Sequence, residues 1–252
     1  MIIANVSESV KFAPIWGDIF MIGIIGGAGV AATNKLLELI ENRLTHQGAF
    51  RDCHHPEMLI FQATSAPSRS VFLEGKGDSF IPAYIQAGMK LKKAGATKLC
   101  MNCNTAHFAI DELSAQIGIP FINLIEEVVQ EVVVSKVKRV GLIASNGCLK
   151  GRVYEKYFSK LADNVEIIYP DTKLQNLVTK GICNIKNVHR FDPINSPERP
   201  AAIFRKICSE LHEAGAEKII IGCTDIRVDF TAEKTIDSLT ILCDKIIKES
   251  QQ

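Results

Sequence analysis

The sequence predicts an α/β protein built from two related halves, each with its own parallel sheet. Segments 94–105 and 214–225 match at a constant spacing: each has Ala-Gly-Ala, a short apolar run and then a cysteine. Segments 22–29 and 140–147 match in the same way, each being an apolar run that ends in small residues. Short apolar runs without alternation are typical of strands buried on both faces, as in a parallel sheet.

Strands and helices are predicted to alternate, which is the order that gives parallel strands joined by right-handed crossovers. Apolar runs predict strands at 21–26, 58–63, 98–102, 119–122, 138–144, 165–169 and 218–222. Apolar residues at helical spacing predict helices at 31–45, 80–93, 106–116, 124–133, 149–162, 174–182, 201–214 and 238–249. Asn104 or Thr105 is a candidate N-cap for the third helix, and Asp237-Ser238 for the last.

Three further stretches are predicted to lie outside regular elements. Residues 64–79 are rich in Ser and Gly and are interpreted as a loop, and a loop of this length inside a compact domain is often functional. Residues 187–200 contain three prolines and are interpreted as a linker. Residues 1–20 are interpreted as an extension ahead of the first strand.

The overall composition disfavours several classes of function. A net charge of +1 gives no electrostatic basis for binding nucleic acid or an anionic membrane surface. No apolar run approaches the ~20 residues of a membrane helix, and residues 1–20 lack the basic start of a signal peptide. Eight cysteines in 252 residues without a secretion signal are expected to be reduced, so we expect a cytoplasmic protein.

Cys103 and Cys223 each follow a predicted strand, at the sheet edge where open α/β folds bind ligands. A thiolate is a good base and a good nucleophile. If the halves face each other, the two thiols flank one cleft and could remove a proton from one face of a carbon and return one to the other. No lysine is recognisable as a pyridoxal-phosphate anchor, so amide donors would stabilise the carbanion. Without the repeat, a cysteine after a strand is more often structural.

Cys100-x-x-Cys103 with His107 allows two other interpretations. It could be half of a zinc site, although no second ligand pair follows at the spacing of a zinc module. It could also be a thioredoxin-like redox pair, although Cys100 is predicted inside the strand and Cys103 beyond it. His107 could orient the site or simply pack in the core.

The glycine turn at 26–29 and Arg69 suggest a small ligand. Gly-Gly-Ala-Gly is not the Gly-x-Gly-x-x-Gly motif of dinucleotide-binding proteins, and it favours close approach of the backbone to a small ligand. Arg69, in the predicted loop, is a candidate carboxylate clamp because its planar guanidinium can bind both oxygens.

The chain resembles the aspartate/glutamate racemase family, the cofactor-independent amino-acid racemases, and among them the aspartate racemases most. The resemblance covers most of the chain and rests on Ile-Gly-Ile-Ile-Gly-Gly at 22–27, Cys-Asn-Thr-Ala-His at 103–107 and Gly-Cys-Thr at 222–224. It implies two pseudo-symmetric flavodoxin-like domains, the active site in the cleft between them, and a homodimer. The implied first domain is 21–126 plus 231–252, with the last helix packed back on it, and the second is 127–230.

The resemblance also implies roles for individual residues. Cys103 and Cys223 would be the two acid/base residues, one for each enantiomer. Arg69 and Lys186 would meet the substrate carboxylates. Small groups and amides would surround the rest of the substrate, at Ala28, Asn104, Thr105, Ser145, Asn146 and Thr224. Neither a metal nor an organic cofactor is implied.

Three positions depart from the family pattern. Asp225 stands where Glu usually follows Gly-Cys-Thr, and its shorter side chain could change the surroundings of Cys223. Ala28 stands where Met often follows the glycine pair, which would widen that wall. The segment around Lys186 is one residue shorter than usual. The absence of His at 225 disfavours the cell-wall type of glutamate racemase.

These observations predict a racemase of a small acidic amino acid, aspartate first and glutamate second, that binds neither nucleic acid nor membranes. Three alternatives remain open. One is a maleate-isomerase-like or decarboxylase-like enzyme on the same scaffold, and another is a non-catalytic amino-acid-binding protein. The third is a zinc module.

Overall fold

The computed structural model describes residues 21–251; the predicted extension 1–20 and residue 252 lie outside them. In the first half, strands and helices alternate as predicted. The elements are β1 (Ile22–Gly26), α1 (Val30–His46), β2 (Met58–Gln62), α2 (Arg69–Leu73), α3 (Ile81–Lys93), β3 (Lys98–Met101), α4 (Ile110–Ile117) and α5 (Leu124–Val134).

The second half repeats the alternation. Its elements are β4 (Arg139–Ile143), α6 (Asn146–Lys150), α7 (Glu155–Leu161), β5 (Glu166–Ile168), α8 (Thr172–Ile185), α9 (Pro200–Glu213), β6 (Lys218–Ile221), β7 (Thr235–Asp237) and α10 (Ser238–Ser250). Asp237 caps α10, as predicted, by accepting hydrogen bonds from the backbone N–H groups of Leu239 and Thr240.

The strands of the first sheet and the first three strands of the second sheet have the same order. The first is β2-β1-β3 and the second is β5-β4-β6-β7, and every pairing in them is parallel. The central strands β1 and β4 therefore correspond, as do β3 and β6, which lead to Cys103 and Cys223. This arrangement confirms the prediction of two related α/β halves with parallel sheets.

The fourth strand differs between the halves. The predicted strand at 119–122 is only an isolated bridge between Leu99 and Phe121. Pro120 has no N–H to donate, and Asn123 already caps α5 by accepting from the Glu126 N–H, so no ladder can extend. In the second sheet the equivalent place is taken by β7, which was not predicted because Ile236 is its only buried residue.

Three predicted segments differ from the structure. The predicted loop 64–79 contains α2, capped by Ser68. The predicted helix 106–116 begins as a 3-10 helix, Thr105–Ala109, and the Asn104 side chain makes no capping hydrogen bond there. The predicted helix 149–162 is divided into α6 and α7 because Arg152 has a left-handed φ of 49°, which interrupts a helix.

A central apolar core joins the halves. It contains side chains from both, including Leu36, Val128, Leu142 and Leu239. Helix α10 follows the second sheet but packs on α1, where Asp244 pairs with Arg43 over 2.9 Å. Conversely, α5 follows the first sheet but packs on α7.

This exchange of helices bears on the domain division. The division into 21–126 plus 231–252 and 127–230 stays a prediction. Within the segment 231–252, β7 pairs with β6 in the second sheet, whereas α10 packs on the first half, as the family resemblance implied. No helix within residues 21–251 has the length and apolarity to cross a membrane.

Candidate active site

Cys103 lies just beyond β3, in a turn held by His107. The side chain is 9% exposed. His107 Nδ1 lies 2.8 Å from the Cys103 carbonyl oxygen, and His107 Nε2 accepts from the Leu124 N–H over 3.2 Å. Because Nε2 accepts, the ring proton sits on Nδ1 and is donated to Cys103. Burial lowers the pKa of His107 to about 4, so His107 is a neutral brace for this turn.

Cys223 lies in the equivalent place beyond β6. The next residue, Thr224, donates its hydroxyl to the Asn102 carbonyl of the first half over 3.2 Å, so the two cysteine turns are tied together. Removal from solvent raises the pKa of Cys223 to about 12; the Asp225 charge adds to the rise and the Lys186 charge opposes it. The Cys223 side chain is therefore a neutral thiol at neutral pH.

The two cysteines share one electrostatic environment. The charge of Cys103 contributes to the raised pKa of Cys223. Burial lowers the pKa of Lys186, but the charge of Asp225, the hydrogen bond to Asp225 and the charges of Cys223 and Cys103 together outweigh burial, so the pKa is raised. Such mutual effects require short separations. The structure thus brings both cysteines and Lys186 to one place between the halves.

Arg69 reaches the same place from α2. Its guanidinium donates to the Pro67 carbonyl over 3.3 Å, and the charges of Cys103 and Asp225 act on it. Burial lowers the pKa of Arg69, but its interactions with Cys103, Tyr84 and Asp225 together raise that pKa, so the net shift is upward. A permanent positive charge therefore stands beside Cys103.

Lys186, at the end of α8, forms an ion pair with Asp225. Its Nζ lies 2.9 Å from Asp225 Oδ2. The Asp225 carboxylate is buried and lies so close to Gly29 that any Cβ at position 29 would overlap it. Gly29 has a φ of 135°, so both its backbone and this contact require glycine. The Gly-Cys-Thr-Asp turn and the glycine turn therefore fit against each other.

Thr105 and Ser145, two of the small residues expected around a substrate, meet at the junction of the halves. Thr105 Oγ1 and Ser145 Oγ lie 3.0 Å apart. Asn146 Oδ1 accepts from Gln175 Nε2 over 2.8 Å, which fixes the amide orientation. Ala28 is buried in the same apolar cluster as Cys103. Contact of these residues with a substrate stays a prediction.

The Asn104 side chain connects three elements. Its Oδ1 accepts from the Tyr154 hydroxyl over 2.6 Å, and its Nδ2 donates to Ser238 Oγ over 2.9 Å. Ser238 in turn donates to the Ile221 carbonyl over 2.8 Å. This buried chain holds the Cys103 turn against the second half. A role for Asn104 in substrate binding also stays a prediction.

Two residues that the sequence did not single out belong to this environment. Tyr84, on α3, is fully buried, and its hydroxyl has no hydrogen-bond partner among the described residues; the charges of Cys103 and Arg69 both act on it. An aromatic residue on the apolar face of a helix has the pattern of a core residue, so no signal marked it. Cys148 is buried, and the charges of Cys103 and Cys223 add to the rise that burial causes in its pKa.

The zinc and redox interpretations do not fit this geometry. Both His107 nitrogens are occupied by protein partners. Cys100 is fully buried inside β3, as predicted, and burial raises its pKa to about 12, so it behaves as a small apolar side chain. Across residues 21–251, no group of three His, Cys, Asp or Glu is placed to hold a metal.

Known proteins that are similar to this chain include amino-acid racemases. The family model described as Asp/Glu/Hydantoin racemase matches residues 22–243. The broad specificity amino-acid racemase RacX of Bacillus subtilis (strain 168) is 25% identical over 208 residues, which cover 82% of this chain and 86% of RacX. The glutamate racemase of Deinococcus radiodurans is 26% identical over 140 residues, 55% of this chain and 45% of that protein.

Solved structures share the fold over most of the chain. The aspartate racemase of Picrophilus torridus superposes with a TM-score of 0.78 at 23% identity, covering 91% of this chain and 94% of that one. The glutamate racemase of Francisella tularensis superposes with a TM-score of 0.60 at 16% identity, covering 92% and 80%. These structures are racemases with two flavodoxin-like domains.

Proposed function

Because the chain belongs to the Asp/Glu/hydantoin racemase family and is an amino-acid racemase, we propose that its substrate is an acidic amino acid, aspartate first and glutamate second. One observation carries the proposal: Arg69 lies in the electrostatic environment of Cys103, and Lys186 lies in that of both cysteines. Two fixed cations beside the reacting centre suit a substrate with two carboxylates. Lys186 is paired with Asp225 in this structure, so the second carboxylate of the substrate would share Lys186 with Asp225.

In the proposed mechanism, Cys103 and Cys223 act on opposite faces of the substrate α-carbon. The thiolate of one cysteine removes the α-proton, and the thiol of the other donates a proton to the opposite face. The neutral state of Cys223 suits it as the donor when Cys103 is the base. After one turnover the protonation states are exchanged, so each cysteine serves one enantiomer as base.

The planar carbanion needs stabilisation while neither proton is attached. Arg69, beside Cys103, is the candidate partner of the substrate α-carboxylate, where negative charge develops. The 3-10 helices Thr105–Ala109 and Thr224–Val228 begin two residues after Cys103 and one residue after Cys223, so their first backbone N–H groups are further candidate donors. The proposed mechanism uses no organic cofactor or metal. We also propose that the protein is a homodimer and lies in the cytoplasm.

Proton NMR in heavy water tests the proposed function. Purified protein is mixed with L-aspartate, and separately with L-glutamate, without added cofactor. We expect loss of the α-proton signal together with falling optical rotation, faster for aspartate. No exchange with either substrate would overturn the acidic-amino-acid proposal. Covalent adduct formation with maleate would favour an isomerase instead, and tight aspartate binding without exchange a binding protein.

Substitution of the cysteines tests the two-base mechanism separately. Cys103→Ser and Cys223→Ser should each abolish racemisation in both directions, because both thiols are needed for inversion. Each variant keeps one of the two thiols. It should therefore exchange the α-proton of at most one enantiomer, namely the enantiomer whose α-proton faces that thiol. Cys183→Ser, on the exposed surface, is the matched control. Full turnover by either active-site variant would refute the mechanism.

A further inference from the structure

Helix α2, which begins with Arg69, packs on helix α6 of the opposite half. The next residue of α2, Ser70, accepts a hydrogen bond at Oγ from the backbone N–H of Gly147 over 2.8 Å. The same hydroxyl donates to Glu74 Oε1 over 2.9 Å. Its proton and its acceptor site are both engaged, so the direction of the hydroxyl is fixed.

Gly147 allows this close approach because it has no side chain. A Cβ at position 147 would overlap Ser70 Cα and would lie 2.7 Å from the Ser70 carbonyl oxygen. Gly147 is the second residue of α6, where backbone N–H groups have no partner inside the helix. Ser70 supplies the partner that the Gly147 N–H lacks within its own helix.

The contact between α2 and α6 continues beyond this hydrogen bond. Lys150 Nζ donates to the Glu74 carbonyl, at the end of α2, over 2.7 Å. A Cβ at Gly151 would lie 2.9 Å from Leu73 Cδ1, so this side of the contact is also tightly packed. Helix α2 is therefore held on α6 from its second residue to its end.

We propose that Ser70 and Gly147 form a clasp across the cleft that positions Arg69 for the substrate. Arg69 and Asn146 directly precede the clasp residues in the chain, and both are candidate substrate-binding residues on opposite halves. Closing the clasp therefore brings the two sides of the site together. Ser70 and Gly147 act as positioning residues. The kinetic consequence of the clasp rests on the proposed function, whereas its structural consequence does not.

Hydrogen exchange of the backbone tests the structural consequence. Ser70→Ala keeps a good helix former in α2 but removes the acceptor of the Gly147 N–H. We expect that amide to exchange at least about fivefold faster, since one hydrogen bond of about 1 kcal/mol is lost. Amides of β3, in the core, should exchange at the wild-type rate.

Two further variants make the test specific. Gly147→Ala forces α2 away from α6, so exchange across α2 should be accelerated more than by Ser70→Ala. Ser209→Ala is the matched control, because Ser209 makes the same hydrogen bond to a glutamate four residues on, Glu213, over 3.1 Å, but on the exposed surface of α9. It should leave exchange in α2 and α6 unchanged.

Kinetics test the positioning role. If the open form binds aspartate poorly, Ser70→Ala should raise KM by up to about fivefold and leave kcat within about twofold of wild type, because substrate binding restores the closed form. A merely structural defect would lower kcat at constant KM, and that result would overturn the positioning role.

The outcomes separate this inference from the proposed function. Unchanged amide exchange in both Ser70→Ala and Gly147→Ala overturns the clasp, whether or not the wild-type protein racemises aspartate. Accelerated exchange in variants of a protein that racemises neither aspartate nor glutamate supports the clasp and overturns the proposed function instead.

Discussion

Lys186 Nζ lies 2.9 Å from Asp225 Oδ2, although Lys186 is the residue expected to meet a substrate carboxylate. Asp225 is 3% exposed, and its other oxygen has no hydrogen-bond partner among the described residues. Lys186 is thus paired with a buried carboxylate, and a second carboxylate entering the site would compete for it. The ion pair links substrate binding to the charge around Cys223, because both partners act on the pKa of that thiol.

Lys186→Met should weaken both folding and substrate binding. It leaves the buried Asp225 carboxylate uncompensated, and because the Lys186 side chain is 48% exposed, we expect a loss of only about 1 kcal/mol in the free energy of unfolding. KM for aspartate should rise at least about tenfold through loss of a charged hydrogen bond. Urea unfolding and steady-state kinetics measure the two effects. Lys180→Met, which removes the exposed pair with Glu198, is the control; an unchanged KM in Lys186→Met would contradict the assigned role.

Asp225→Asn should make Cys223 more reactive. The Asp225 charge contributes to raising the pKa of Cys223 to about 12, so its removal lowers that pKa and increases the thiolate fraction at any pH below it. The rate of iodoacetamide labelling at Cys223, followed by peptide mass spectrometry, should be higher in the variant. In the wild type it should keep rising from pH 7 to 10 without a plateau. The exposed Cys53 and Cys183 are internal controls, and slower labelling of Cys223 in the variant would refute this account.

The repeat allowed both cysteines to be located because a strand end fixes where the next residue points. Short apolar runs did not contain the information needed at two places. A strand was predicted at 119–122, where Pro120 prevents a ladder. Strand β7 was not predicted, and it forms by pairing with β6. Helix α2 has five residues, too few for a periodicity, and it is held by tertiary contacts with α6. The pairing of Lys186 with Asp225 and the unpartnered Tyr84 hydroxyl depend on side chains distant in sequence, so no local pattern predicts them.

Tyr154→Phe should destabilise the protein through Asn104. The Tyr154 hydroxyl donates to Asn104 Oδ1 over 2.6 Å, and both side chains are buried. Its removal leaves the Asn104 oxygen without that donor, which costs about 1–3 kcal/mol for a buried acceptor. Thermal and urea unfolding should show this loss. Tyr169→Phe, which removes a hydroxyl bonded to Glu155 at the surface, should cost far less, and equal losses in the two variants would contradict the buried-acceptor explanation.

His107 should make the protein sensitive to mild acid. Burial lowers its pKa from 6.5 to about 4, so between these values the unfolded chain binds a proton that the folded protein does not. The free energy of unfolding is not reduced by this residue above pH 6.5. As the pH falls from 6.5 towards 4, protonation of His107 in the unfolded chain lowers the free energy of unfolding by about 3 kcal/mol in total. His107→Gln should lose this component of the pH dependence, whereas His46→Gln, at an exposed site on α1, should retain it. Unfolding free energies at pH 7, 5.5 and 4 measure the difference, and an NMR titration of the His107 ring in the wild type, with its midpoint near 6.5, would contradict a buried neutral imidazole.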